Sequence, residues 1–141
     1  FVLPGTMSLT GADVTILWDT SGSMYGEAPY ILSEVSGICD DAGYTARLIV
    51  CDAEVHYDGS IEEADDCIGK LKGGGGSDFR PAFDLLRKEG TPTVVVAFTD
   101  GYISVPRVQP TNIQGCIWGI THSGQAPASW GRAIKINPKN S

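Results

Sequence analysis

The chain has 141 residues, 42% of them hydrophobic and 19% charged, which suits one domain with its own core and leaves too little chain for two ordinary domains. A formal net charge of -7, with no cluster of Lys and Arg, argues against binding to a phosphate backbone. No apolar run approaches the roughly 20 residues that a membrane helix needs, so neither nucleic acid nor a bilayer is expected as a partner.

Cys39, Cys51, Cys67 and Cys116 fall on expected helices and strands, without the close pairing of a zinc site or a loop-rich disulfide framework. They read as reduced, small core hydrophobes, which favours a cytoplasmic location. A chain that begins Phe1-Val2-Leu3-Pro4-Gly5 without an initiator Met reads as a fragment, so upstream signals could be missing.

Residues 1–11 carry Pro4 and Gly5 and read as a lead-in to a single domain over 12–141. Ala12 to Trp18 is expected to be the first strand, a run of β-branched and large apolar residues, and Asp19-Thr20-Ser21-Gly22-Ser23-Met24 the loop that leaves its end. From Pro29 to Ala42 the residues Ile31, Leu32, Val35, Ile38, Cys39 and Ala42 share one helical face, which Gly43 terminates. Pro29 suits the first turn. Ala46 to Cys51 is the second strand. Glu54 to Tyr57 is a third, polar enough for an edge, and the short Asp52-Ala53 connection predicts that it runs antiparallel.

An Asp58-Gly59 turn then leads to a weaker helix over Ile61 to Leu71. Gly73-Gly74-Gly75-Gly76-Ser77-Asp78 opens a further helix over Phe79 to Lys88, with Asp78 as N-cap and Pro81 in the first turn. Thr93 to Thr99 is a near-continuous β-branched run, hence a central strand buried on both faces, and it ends at Asp100-Gly101. Pro106 and Pro110 argue against a long helix between Tyr102 and Gln114. Cys116 to Ile120 is the fifth strand, residues 121–132 are irregular, and Ala133 to Asn137 is the last strand. Strands alternating with helices make this an α/β protein with a mostly parallel, doubly wound sheet.

Three strand-end segments carry oxygen ligands: Asp19, Ser21 and Ser23 after the first strand, Ser77 in the glycine loop, and Asp100 after the fourth. If the first and fourth strands are neighbours, the winding reverses between them and all five oxygens reach one crevice. Two carboxylates and three hydroxyls suit a hard cation such as Mg2+, with Mn2+ or Ca2+ as substitutes. Because hydroxyls bring no charge, such an ion keeps an attraction for an anionic oxygen from elsewhere.

The segment Asp19-Thr20-Ser21-Gly22-Ser23 resembles the DxSxS motif of von Willebrand factor A (vWA) domains with a metal-ion-dependent adhesion site. Ser77 and Asp100 match the family's third and fourth elements, with Ser in place of the usual Thr at 77. The resemblance covers nearly the whole chain. It implies a Rossmann-like sheet of strand order 3-2-1-4-5-6, with strand 3 an antiparallel edge, and a cation completed by the Asp or Glu of a protein partner. A closer likeness is to vWA-like domains of bacterial and phage proteins that follow a metallopeptidase-like half. It rests on the lead-in Val2-Leu3-Pro4-Gly5, the loop from Gly73 to Phe79 with Arg80-Pro81, Phe98-Thr99-Asp100-Gly101-Tyr102, Trp118-Gly119-Ile120-Thr121, and Gly131-Arg132-Ala133-Ile134-Lys135-Ile136. That likeness implies partnership with a MoxR-type AAA+ ATPase.

Competing readings weigh less. The four glycines lack the following Lys of a nucleotide-binding loop, and Asp78 reads as a cap and not a ligand. His56 and His122 lie near no recognisable nucleophile. Tyr25, Phe79 and Tyr102 flank the three loops and are expected to form an apolar rim suited to a protein interface. A binding module, not an enzyme, is therefore the leading expectation. The alternative is a magnesium-dependent phosphatase-like hydrolase with Asp19 as nucleophile, but Ser21 stands where a second Asp is usual and no Lys is placed to stabilise the phosphoryl charge. A third expectation is that a domain preceding Phe1 covers part of the sheet, since the connections over 102–114 and 121–132 look thin.

Overall fold

The computed structural model describes residues 13–19, 46–51, 54–60, 78–99, 101–121 and 125–136. They form strands β1 (Asp13–Asp19), β2 (Ala46–Cys51), β3 (Val55–Ser60), β4 (Thr93–Thr99), β5 (Ile113–Thr121) and β6 (Arg132–Ile136), and helix α1 (Arg80–Glu89). One sheet holds all six strands in the order β3-β2-β1-β4-β5-β6. Only β3 is antiparallel to its neighbour; every other pairing is parallel. This is the expected doubly wound order, and the winding reverses between β1 and β4. The lead-in and the helices expected over 29–42 and 61–71 lie outside the described residues.

The central strands bury both faces. On one face Leu17, Ile49, Cys51, Val95, Ala97, Cys116, Trp118 and Ile120 join Phe79, Ala82, Phe83 and Leu86 in a single core. The alternate residues Val14, Ile16, Leu48, Val50, Val94, Val96, Phe98 and Ile117 are as deeply buried. A parallel sheet inside an α/β fold requires this, and it explains the near-continuous apolar runs. Both faces of β1 and β4 are thus buried within this chain. In β6, by contrast, Arg132, Ala133 and Lys135 are exposed.

Helix α1 is amphipathic, with Ala82, Phe83 and Leu86 buried. Burial of each large apolar side chain here contributes about 1.5–3 kcal/mol. Phe83 packs edge-on against Trp130 at 5.6 Å between ring centroids and tilts over Trp118 at 6.1 Å. The Trp118 indole N–H donates to the Trp130 carbonyl, and the Trp130 indole N–H to that of Pro106. The aromatic cluster thus ties the irregular connections on either side of β5 to the helix. Gly90, in the left-handed region at φ 70°, ends α1 by donating its N–H to the Leu86 carbonyl, as helix-terminating glycines do. Asn112 adds a second donor to that carbonyl at 2.9 Å.

Several boundaries differ from expectation for identifiable reasons. Asp58 and Gly59 form no turn: they pair with Ile49 and Leu48, extending β3 to Ser60. The length of β2 offers ladder partners that far, and Arg47 holds Asp58 in a two-pronged ion pair at 2.6 and 2.7 Å. Arg47 also grips Glu89 at the end of α1, at 2.6 and 2.9 Å. Hydrogen bonds to Asp58 first, then to Glu89, raise the guanidinium's proton affinity above its ordinary value. β5 begins at Ile113 and not at Cys116, because Ile113 already pairs with Thr93 across a register shift. β6 runs from Arg132 to Ile136, one residue earlier than expected.

Cys51 and Cys116 are buried thiols outside any disulfide among the described residues, in keeping with their expected role as core residues; Cys39 and Cys67 lie outside the described residues. Burial pushes the Cys116 thiol up from its ordinary value. Among the described residues no helix is long and apolar enough to cross a membrane.

Candidate functional site

Parallel pairing sets the carboxyl ends of β1, β2 and β4 side by side. Asp19 is the last residue of β1, opposite Cys51 of β2, and Trp18 pairs with Phe98 of β4. Asp19 is thus a strand residue, and not the first loop residue that the sequence leads us to expect. Its backbone completes the ladder, while alternation puts its side chain on the same face as Leu17 and helix α1. Asp19 is fully buried, as is Thr99. The Thr99 hydroxyl donates to Asp19 Oδ2 at 2.8 Å, and Thr99 Oγ1 accepts the N–H of Gly101 at 3.1 Å.

Both sequence neighbours of residue 100 thus belong to one hydrogen-bonded chain that ends on the Asp19 carboxylate. Gly101 is itself fixed in place. Its φ is 91°, and a Cβ there would lie 1.5 Å from the Gln125 carbonyl oxygen. Only glycine permits so close an approach of two backbones.

A third segment is stitched to the same end of the sheet. The Cys51 thiol donates to the Asp78 carbonyl at 3.3 Å. Asp78 forms a parallel bridge with Ser104, and the Phe79 N–H donates to the Ser104 carbonyl at 2.8 Å. Phe79, fully buried, anchors this junction from below. The residue following Ser77 is therefore held against the end of β2, whose last residue pairs with Asp19.

Asp78 is the expected cap of the next helix, but α1 starts one residue later than anticipated and Phe79 is the N-cap. The Asp78 carboxylate still accepts the Arg80 backbone N–H at 2.9 Å and grips the Arg80 guanidinium at 2.8–3.1 Å. Those hydrogen bonds from Arg80 hold its carboxyl below the usual carboxylate range.

Of the five expected ligands, Asp19 is thus placed at the carboxyl end of the sheet. Ser21, Ser23, Ser77 and Asp100 lie outside the described residues, although segments adjoining residues 77 and 100 converge on the same edge. The expected apolar rim needs correction. Phe79 is interior, because it packs with Ala82 and Phe83 on Leu17 and Ala97 in the core. Tyr102 is 64% exposed and stands one residue beyond Gly101; Tyr25 lies outside the described residues. His56 is exposed on β3.

The residue that sequence reasoning missed is Thr99. Its signal was a hydroxyl at the inward-facing end of an otherwise apolar, wholly buried strand, directly before an acid. A separate groove of about 250 Å³ runs along α1, lined by Phe83, Arg87, Pro106 and Pro110 among others, and does not include these strand-end groups.

An open, doubly wound sheet with a buried carboxylate at its winding-reversal point defines a class of α/β domain whose ligands sit at the carboxyl ends of the strands. The chain belongs to the VWA-like domain (DUF2201) family, whose model matches residues 14–137. No curated protein matches the chain.

Proposed function

We propose that this domain is a cation-dependent protein-binding module, in which Asp19, Ser21, Ser23, Ser77 and Asp100 hold a divalent metal that a partner's Asp or Glu completes. The observation that carries the reading is the buried chain from the Gly101 N–H through the Thr99 hydroxyl to the Asp19 carboxylate. It binds the end of β1 to the segment after β4 at the point where the winding reverses. The donor set is oxygen only, which suits Mg2+ over softer metals. When bound, the cation supplies a positive coordination position for an incoming carboxylate oxygen. Asp19, wholly buried, forms the floor of the site, and Tyr102 offers an exposed aromatic surface beside it for a partner to cover.

On the likeness to bacterial and phage vWA-like proteins, the partner is a MoxR-type AAA+ ATPase and the setting is the cytoplasm. The domain contributes recognition and no bond-making chemistry of its own. Titration calorimetry with MgCl2 tests the first half of the reading, with saturable binding expected for the wild type and none for Asp19→Ala. Pull-down of the ATPase in magnesium and in chelator tests the second. Equal recovery by wild type and Asp19→Ala in magnesium buffer would refute the metal-gated contact.

A further inference from the structure

We infer that Thr99 is the positioning residue of the cation site, the group that sets the orientation of Asp19 and holds it in register with the segment that follows β4. The inference rests on the cation-binding reading above and adds to it a residue outside the five-ligand set.

Proton accounting carries the argument. A backbone N–H can only donate, so Thr99 Oγ1 must accept from Gly101. The hydroxyl has one proton, and at 2.8 Å from Asp19 Oδ2 that proton goes to the carboxylate. The bond restrains the rotation of the carboxylate about its Cβ–Cγ axis. Gly101 is confined on one side, where the Gln125 backbone lies against it. Thr99 cannot turn away easily, because it is fully buried and its branched side chain is stiff about χ1.

The hydroxyl thus does for Asp19 what groups behind a metal's direct ligands do generally. It orients the ligand and reinforces its acceptor character, and loss of such a group typically costs about 10- to 100-fold in metal affinity.

The same strand supplies an internal control. Thr15 is buried four residues earlier, on the same face of β1, and shares a 2.7 Å hydroxyl–hydroxyl bond with Thr93 at the opposite end of the sheet. Thr15→Val removes a buried hydroxyl from the same core without touching the strand ends. Calorimetric titration with MgCl2 should show Thr99→Val binding at least about tenfold more weakly than wild type. Thr99→Ser, which keeps the hydroxyl, should stay within about twofold, and so should Thr15→Val, whatever either does to the melting temperature. If Thr99→Val does not fold, Thr99→Cys replaces it, with the weaker thiol donor expected to give an intermediate affinity.

Wild-type affinity in the Val or Cys variant overturns the role of Thr99 while leaving the cation site standing. So does an equal loss in Thr99→Ser, which would trace the effect to packing, or in Thr15→Val, which would trace it to general destabilisation. Absence of magnesium binding by the wild type overturns both the site and the role.

Discussion

Gly101 and Gly90 offer a matched pair of substitutions. Both have positive φ, at 91° and 70°, but a Cβ at Gly90 meets nothing within 4 Å, whereas one at Gly101 would sit 1.5 Å from the Gln125 oxygen and 2.6 Å from its carbonyl carbon. Gly90→Ala therefore pays chiefly the conformational cost of a left-handed backbone, about 1–3 kcal/mol, partly offset by about 0.4–1 kcal/mol from a less flexible unfolded chain. Gly101→Ala carries that cost and must also separate two backbones. Relief of such an overlap typically costs about 1–3 kcal/mol, and the Gly101 N–H to Thr99 bond, contributing about 0.5–1.5 kcal/mol, is lost with the shift. Gly101→Ala should thus be less stable than Gly90→Ala by about 2 kcal/mol or more. Urea denaturation at a fixed magnesium concentration measures the difference directly. Losses for the two variants that agree within about 0.5 kcal/mol would refute the reasoning, because they would show that the contact with Gln125 imposes no restraint.

Phe83→Ala should cost about 3–5 kcal/mol and change the tryptophan emission, since Phe83 packs against Trp118 and Trp130; a loss under about 1 kcal/mol in urea titrations would mean that the cluster is not closely packed. Arg47→Met removes four charged hydrogen bonds at a position only 29% exposed and should lower stability by about 1–3 kcal/mol at low salt, with a smaller difference from wild type in 1 M NaCl, where charges are screened within about 3 Å. Cys116, buried and with its thiol pushed up from an ordinary 9.0, should resist a disulfide reagent in the native protein and react on unfolding. For the same reason its contribution to stability is fully present below about pH 9 and is lost as the pH rises further, because only the unfolded chain then releases the proton; a Cys116→Ala variant with an unchanged alkaline stability profile would contradict this.

Much of this fold is legible residue by residue. The limits of β2 and of β4 follow from their apolar, β-branched runs, and burial of every residue in β4 is what a continuous run without alternation predicts. Asp58-Gly59 shows where local reading fails: a strong turn signal yields to pairing with β2 and to an ion pair with Arg47, eleven positions away. Phe79 failed similarly. Flanking a polar loop, it reads as a rim residue, but the bridge between Asp78 and Ser104 turns its ring inward.

The chemistry of the candidate site belongs to the sequence. Acids and hydroxyls leaving the ends of apolar strands are what the proposal of oxygen ligation rests on, and the order of elements specifies a doubly wound sheet. What only the tertiary structure decided is the contact between Asp19 and Thr99, separated by 80 positions. No periodicity encodes it. Parallel pairing of β1 with β4 brings the two strand ends together, and their shared parity on the helix-facing side turns a hydroxyl toward a carboxylate. Register across a sheet is a property of packed strands, and a single strand's sequence does not contain it.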